Sequence, residues 1–305
     1  MPAASLRALL EHSIDYAGLF PPATLALEPA LRNHANYVRD SDAWMLGAFV
    51  LPVGQFDEAA EMLGWFDVEH ALRVSALGPR SENAAEFIAA LERVAEAIRH
   101  YQAERGAVVA VAQIEMALPA QPGATVTEAR QVLAGVESPA FWEAAADEAE
   151  RTIATIAEHN RSTGAQAFGF KLRTGGVIAS AFPSSMQIAR ALVAAARHDV
   201  PIKFTAGLHH PVRQFHSSVQ TKMHGFLNVL GAGVLAAEHK WEAVQTAAML
   251  DDEDASAFAF TDESFRWREW EIPTERIRAQ RALVTSLGSC SFDEPREDLR
   301  ALNLL

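Results

Sequence analysis

Apolar and polar positions along the chain follow two periods that take turns. Short, nearly continuous apolar runs occur at residues 14–20, 45–53, 72–77, 107–118, 141–146, 167–172, 200–206 and 257–261. Such runs, closed by Pro or Gly, read as strands buried on both faces. Between them, residues 27–39, 56–66, 82–105, 184–198, 225–238, 241–250 and 275–287 carry helical spacing. In the longest of these, Phe87, Leu91, Val94 and Ile98 form one apolar face. Residues 141–146 fit either a fifth strand or the start of the helix that continues to Asn160.

Strands separated by helices require crossover connections and build a parallel sheet. Eight such units in 305 residues predict an α/β protein, a single (β/α)8 TIM barrel spanning 1–305. On this reading a helical insertion after strand 7 occupies 207–254. A docked C-terminal tail occupies 291–305 and contains Phe292, Leu299 and Leu302. An open doubly wound sheet is the alternative. A barrel presents its reactive groups at the C-terminal ends of its strands, which directs attention to charged residues there.

The net charge of −13 argues against a nucleic-acid partner, which would need a basic surface. One cysteine, Cys290, excludes internal disulfides and Cys-rich metal sites. No basic segment followed by an apolar run marks a secretory signal. The uncharged run 223–237 is shorter than the roughly 18 residues a membrane span needs. The expectation is a soluble, cytoplasmic protein with a small-molecule substrate, no membrane partner and, on base rates of oligomerisation, a homodimer.

The 26 basic residues include only four lysines, Lys171, Lys203, Lys222 and Lys240. An amine can lose its proton and attack a carbonyl, whereas a guanidinium cannot, so each lysine invites a chemical question. Lys171 and Arg173 lie two apart near the end of the sixth strand, before Thr174-Gly175-Gly176, and share a face. Lys203 and Thr205 do the same on the seventh. Adjacent strands lie about 4.8 Å apart, so inward-pointing lysines at one height would meet. Two ammonium groups that close disfavour each other's charge, which favours a neutral amine able to form a Schiff base. The plainer alternative has both lysines pointing outward to pair with nearby acids. A third has both cations, with Arg173, hold a carboxylate or phosphate without covalent chemistry.

The segment Lys171-x-x-Thr174-Gly175, an intervening helix and Lys203 on the next strand resemble the class I deoxyribose-phosphate aldolases over about 40 residues, from Phe168 to Leu208. The resemblance implies a TIM barrel in which Lys171 forms the Schiff base, Lys203 tunes it, and Thr174 and Gly175 match the local motif. The chain departs from that family after Lys203, where it reads Ala206-Gly207-Leu208-His209 instead of paired glycines and an arginine. It departs again where Thr261 is followed by Asp262 and Glu263. Two carboxylates would repel a phosphate, so a phosphorylated deoxysugar is not what these residues suggest.

Aldol chemistry needs an acid/base group. Glu115, flanked by Ile114 and Met116 on the fourth strand, is the first candidate, because an acid on an apolar strand is costly unless paired. A structural ion pair to a neighbouring arginine is the alternative. Asp15 and Glu143 are further candidates. His209 and His210, with His216 and His224 beyond them, could move protons or bind a metal. No paired ligand spacing supports a metal, and adjacent residues of a strand face opposite ways, so at most one of His209 and His210 should face the site. Gly231-Ala232-Gly233 matches a relaxed dinucleotide fingerprint, but Asp251 to Asp254 precedes the next strand where the motif requires an acid at a strand's end. Close helix packing explains those glycines better. Gly175-Gly176 could cradle an anion.

These residues predict a Schiff-base-forming aldolase or lyase without a cofactor, acting on a small oxygenated, anionic carbonyl metabolite. Lys171, Lys203 and Glu115 would do the chemistry, while Arg173, Thr174, Gly175, Thr205, His209, His210 and Asp15 would bind substrate. One alternative is an isomerase or lyase on the same barrel that uses histidines and acids or a divalent metal. Another is a non-catalytic barrel that binds an anionic ligand.

Overall fold

The computed structural model describes residues 1–119, 123–163 and 168–305. Its strands are β1 (Ile14–Tyr16), β2 (Leu46–Pro52), β3 (Leu72–Leu77), β4 (Val109–Ala117), β5 (Ala140–Ala144), β6 (Gly169–Arg173), β7 (Ile202–Thr205), β8 (Gln214–His216), β9 (Thr221–Met223), β10 (Phe258–Phe260), β11 (Ser264–Trp267), β12 (Trp270–Pro273) and β13 (Val284–Ser289). The helices are α1 (Ala4–Leu10), α2 (Leu27–Tyr37), α3 (Phe56–Ala60), α4 (Ala84–Arg105), α5 (Gly123–Val132), α6 (Ala149–Thr163), α7 (Ser185–His198), α8 (Phe226–His239), α9 (Ala243–Leu250), α10 (Thr274–Gln280) and α11 (Asp293–Ala301). Among the described residues, eight parallel strands close a barrel in the order β1-β13-β7-β6-β5-β4-β3-β2. The fold is therefore a (β/α)8 TIM barrel. Ala167, the first residue of the sixth strand as read from sequence, lies outside the described residues.

Local chemistry sets the helix starts that fix strand spacing. The side chain of Asn83 accepts from the Glu86 backbone amide at the head of α4. Ser184 and Gln187 form a reciprocal capping box at the head of α7. At the end of α7, Asp199 takes a left-handed conformation that turns the chain into β7. The buried faces of α4 (Phe87, Leu91, Val94, Ile98) and α7 (Ile188, Leu192, Ala195) join the core around the barrel.

The eighth stave differs from the sequence expectation. Residues 257–261 do not enter the barrel: β10 pairs antiparallel with β11, which pairs with β12 in a separate three-stranded sheet. The closing helix expected at 275–287 ends with α10 at Gln280, and β13 then pairs with both β1 and β7 to close the barrel. Helical spacing over 275–287 absorbed its first residues, and its inward face, Ser286 and Gly288, offers no apolar strand signal because Ser286 donates to Asp15 at 2.7 Å. The excursion between β7 and β13 consequently holds the hairpin β8–β9 and the three-stranded sheet as well as α8 and α9. In the tail, Phe292 and Leu299 are buried but Leu302 is exposed. No helix among the described residues is long and apolar enough to cross a membrane.

Candidate active site

Strand register gathers the ionisable residues. Glu143 on β5 pairs with Lys171 on β6, which pairs with Lys203 on β7, so three ionisable side chains stand at one height on consecutive staves. The period of two then builds a second tier nearer the mouth. Ser75, Gln113, Lys203 and Ser286 lie in the lower tier. Two residues further along the same strands, Leu77, Glu115, Thr205 and Gly288 line a cavity of about 500 Å³. Lys171 breaks that pattern, because it stands level with Lys203 yet also lines the cavity.

Lys203 is sealed, with 1% of its side chain exposed. Its Nζ donates to Asp15 Oδ2 at 2.9 Å and to Glu115 Oε1, and it lies over the Phe141 ring. Burial works against the ammonium, but Asp15 and Glu115 outweigh it and hold the Lys203 pKa above its ordinary value. Asp15 is saturated with donors: Ala48 N at 2.7 Å, Gln113 Nε2 at 2.8 Å and Ser286 Oγ, besides Lys203. Gly47 makes the first of these contacts geometrically open, since a Cβ there would lie 2.3 Å from Asp15 Oδ1. Asp15 does not line the cavity, so its place is beneath the site, holding Lys203.

Glu115 bridges the two lysines. Oε2 accepts from Lys171 Nζ at 2.7 Å, while Oε1 accepts from Lys203 and from Ser75 Oγ. Burial alone would raise its pKa, but the two ammonium groups, Lys171 first, hold it well below the usual carboxylate range. The amines therefore do not meet bare, as strand spacing alone suggested. A carboxylate sits between them and offsets their repulsion.

At the cavity, Lys171 Nζ also donates to Glu143 Oε2 at 2.9 Å. Glu143 Oε1 in turn lies 3.4 Å from Arg173 Nε and 3.5 Å from Arg80 Nη2. Burial would raise the Glu143 pKa, yet Lys171, Arg173 and Arg80 keep it below its ordinary value. Glu143 is thus a central member of the site. Arg80 follows Gly78-Pro79 at the mouth end of β3, where barrel chemistry is expected, and that position was its only signal in sequence.

The rest of the rim is formed largely by the turns after β1, β6, β7 and β13. Gly175 and Thr205 line the cavity, as do Gly176, Val177, Ile178 and Ala206. Gly175 and Gly207 allow two turns to touch, because a Cβ on Gly175 would lie 2.8 Å from the Gly207 Cα, and Gly207 has φ +76°. Thr174 does not reach the cavity. Its hydroxyl donates to the carbonyls of Thr205 and Ala206 and staples these two turns together.

The two adjacent histidines part company. His209 lines the cavity, with Nδ1 3.0 Å from Glu294 Oε2 and 3.8 Å from Cys290 Sγ. Burial opposes its charge, but the hydrogen bonds to Cys290 and Glu294 lift its pKa to about 9, so the ring is an imidazolium near neutral pH. His210 points instead to Asp298, at 2.6 Å, and stacks on His216, away from the cavity. His224 bonds to the Pro183 carbonyl. Among the described residues, no group of three or more His, Cys, Asp or Glu is arranged to hold a metal. Gly231 and Gly233 lie inside α8, where added Cβ atoms would meet Met249 and Phe265, and Val284 and Leu192, respectively. Close packing accounts for them.

Fold and site together define a (β/α)8 barrel with a lysine–carboxylate cluster at the C-terminal mouth. No protein-family model and no curated protein matches the chain.

Proposed function

We propose that the protein is a Schiff-base-forming lyase of the class I aldolase type, acting on a small oxygenated carbonyl compound. The observation that carries this reading is the position of Lys171. Its amine borders a cavity of about 500 Å³ at the catalytic end of a barrel, between two carboxylates able to take and return protons. The resemblance of Lys171-x-x-Thr174-Gly175 and Lys203 to the deoxyribose-phosphate aldolases points the same way.

In this mechanism the Lys171 ammonium passes a proton to Glu143, and the neutral amine adds to the substrate carbonyl carbon. A proton moves from the new ammonium to the oxygen, giving a carbinolamine. Glu143 then returns its proton to the hydroxyl, which leaves as water while the N–C bond becomes an iminium. Glu143, again a carboxylate, removes the proton of the substrate's β-hydroxyl. The Cα–Cβ bond breaks, the hydroxyl-bearing carbon leaves as an aldehyde or ketone, and the electron pair moves through Cα to the iminium nitrogen to give an enamine. The enamine is protonated at Cα and hydrolysed by water, which releases the second product and the Lys171 amine. Glu115 is pinned by three donors, Lys171, Lys203 and Ser75. It is therefore better suited to orient Lys171 than to shuttle protons, and Glu143 takes over the acid/base role that the sequence suggested for Glu115. Glu143 has the solvent-exposed side chains of Arg80 and Arg173 as its other partners.

The test is borohydride reduction of the protein with a panel of small aldehydes and ketones, read by intact mass. A covalent increment that requires both carbonyl and reductant supports the reading. Binding of carbonyl compounds with no trapped mass under any of them would leave a non-covalent anion-binding barrel instead.

A further inference from the structure

The chain as a whole carries a net charge of −13, but the cavity reverses that sign. Its ionisable lining comprises Arg80, Lys171, Arg173, His209, Glu115, Glu143 and Cys290, so four basic groups face two carboxylates and one thiol. His209 joins the basic groups because its Nδ1 lies 3.0 Å from the Glu294 carboxylate, which favours the protonated ring. The cavity is a local well for anions in an acidic molecule.

Glu143 is where the positive charge converges. One carboxylate, with 11% of its side chain exposed, serves three cations: Lys171 at 2.9 Å, Arg173 at 3.4 Å and Arg80 at 3.5 Å. The two arginine contacts are long for charge-assisted hydrogen bonds. The arginines are also the exposed partners, with 77% of the Arg80 side chain and 45% of the Arg173 side chain accessible. They are free to exchange partners, whereas Lys171 is not. Both arginines, with Glu143, also border a second cavity of about 460 Å³, so they stand as a partition between two solvent spaces.

We propose that the substrate carries a carboxylate that binds across Arg80 and Arg173, drawing both guanidinium groups off Glu143 so that Glu143 can accept the Lys171 proton. This inference rests on the Schiff-base reading and names its substrate class, a short oxo acid or carboxylate-bearing aldehyde. The span from Lys171 to the arginines is bridged by the single carboxylate of Glu143, so the substrate's two functional groups must lie close together. A guanidinium pair recognises a planar carboxylate bidentately. A phosphate dianion would face stronger repulsion from Glu115 and Glu143. Binding and activation are then coupled: an uncharged carbonyl compound leaves Glu143 neutralised by arginine and a poor base, while an oxo acid switches it on.

The experiment compares glyoxylate with glycolaldehyde, two aldehydes of equal chain length that differ in the carboxylate, by the rate of borohydride labelling of wild type and of Arg80→Gln/Arg173→Gln. The wild type should prefer glyoxylate, and the double variant should lose at least tenfold of that preference, expressed as the ratio of the two labelling rates. A preference that survives in the variant overturns the proposal. Stronger protection of wild type by inorganic phosphate than by acetate also overturns it, in favour of a phosphate-bearing substrate. Labelling by neither aldehyde, nor by any member of the wider panel, removes the Schiff-base reading itself. Equal labelling by both leaves that reading standing and removes only the carboxylate.

Discussion

Lys171 and Lys203 are register partners on adjacent staves, and both are buried, yet their surroundings differ in kind. Lys203 is enclosed by Asp15 and Glu115, with Gln113 and Ser286 completing the Asp15 shell. Lys171 has one face on the same bridging glutamate and another at the cavity on Glu143, whose remaining contacts, Arg80 and Arg173, are longer. One lysine is the fixed cation around which the barrel interior is assembled. The other can be reached by a ligand. Burial and register alone therefore do not distinguish the two amines; access to the cavity does, and the proposed mechanism rests on that difference.

The sharpest way to break this comparison is to change each lysine in turn. Lys171→Arg keeps a cation for Glu115 and Glu143 but removes the nucleophile, so the chain should fold and borohydride labelling should vanish. Residual labelling in the variant would transfer the chemistry to another amine. Lys203→Met leaves Asp15 and Glu115 facing each other without their shared cation. Removing one partner of a buried ion pair costs about 3–5 kcal/mol, and that loss should appear in chemical denaturation. Adding Asp15→Asn to Lys203→Met should restore part of it. A Lys203→Met chain as stable as wild type would mean that the lower tier is not held by charge.

Smaller effects sharpen the picture. Glu143→Gln should slow labelling of Lys171 about 100-fold, toward the low end of what general acid–base catalysis supplies, and destabilise the fold less than Lys203→Met, because Lys171 keeps Glu115 as a partner. If labelling is as fast as in wild type, Glu115 is the base. The mildest effect concerns His209, whose folded pKa of about 9 exceeds its ordinary 6.5. A raised value means that folding favours the protonated ring, so its stabilisation is full below pH 6.5 and is lost as pH rises toward 9. Denaturation midpoints of wild type should fall across that window, and His209→Asn should flatten the fall. An unchanged slope would show that Glu294 and Cys290 do not hold a charged ring.

Much of this was legible in the sequence, for physical reasons. Lys171 and Lys203 stood out because lysine is scarce in this chain and both interrupt apolar strands. Glu115 stood out because an unpaired acid between Ile114 and Met116 would be costly. The strand at Val284–Ser289 was hidden, because the helical spacing of 275–287 ran over its first residues and a stave that serves the Asp15 shell with Ser286 carries small polar residues in place of an apolar run. With that strand went the polar lower tier, since Ser286, Gln113 and Ser75 acquire meaning only when distant strands are wrapped around them. Arg80 and Glu294 were hidden for a related reason: each lies in a turn or helix whose approach to the site depends on barrel closure and on the docking of α11. The pairing of Glu143 with Lys171 is a matter of register, which periodicity alone does not give.

The most direct measurement is peptide mapping of the protein after borohydride reduction with a trapped carbonyl compound. The adduct is expected on Lys171 alone among Lys171, Lys203, Lys222 and Lys240. An adduct on Lys203, or one shared with the exposed Lys222 and Lys240, would contradict the division of labour between the two barrel lysines.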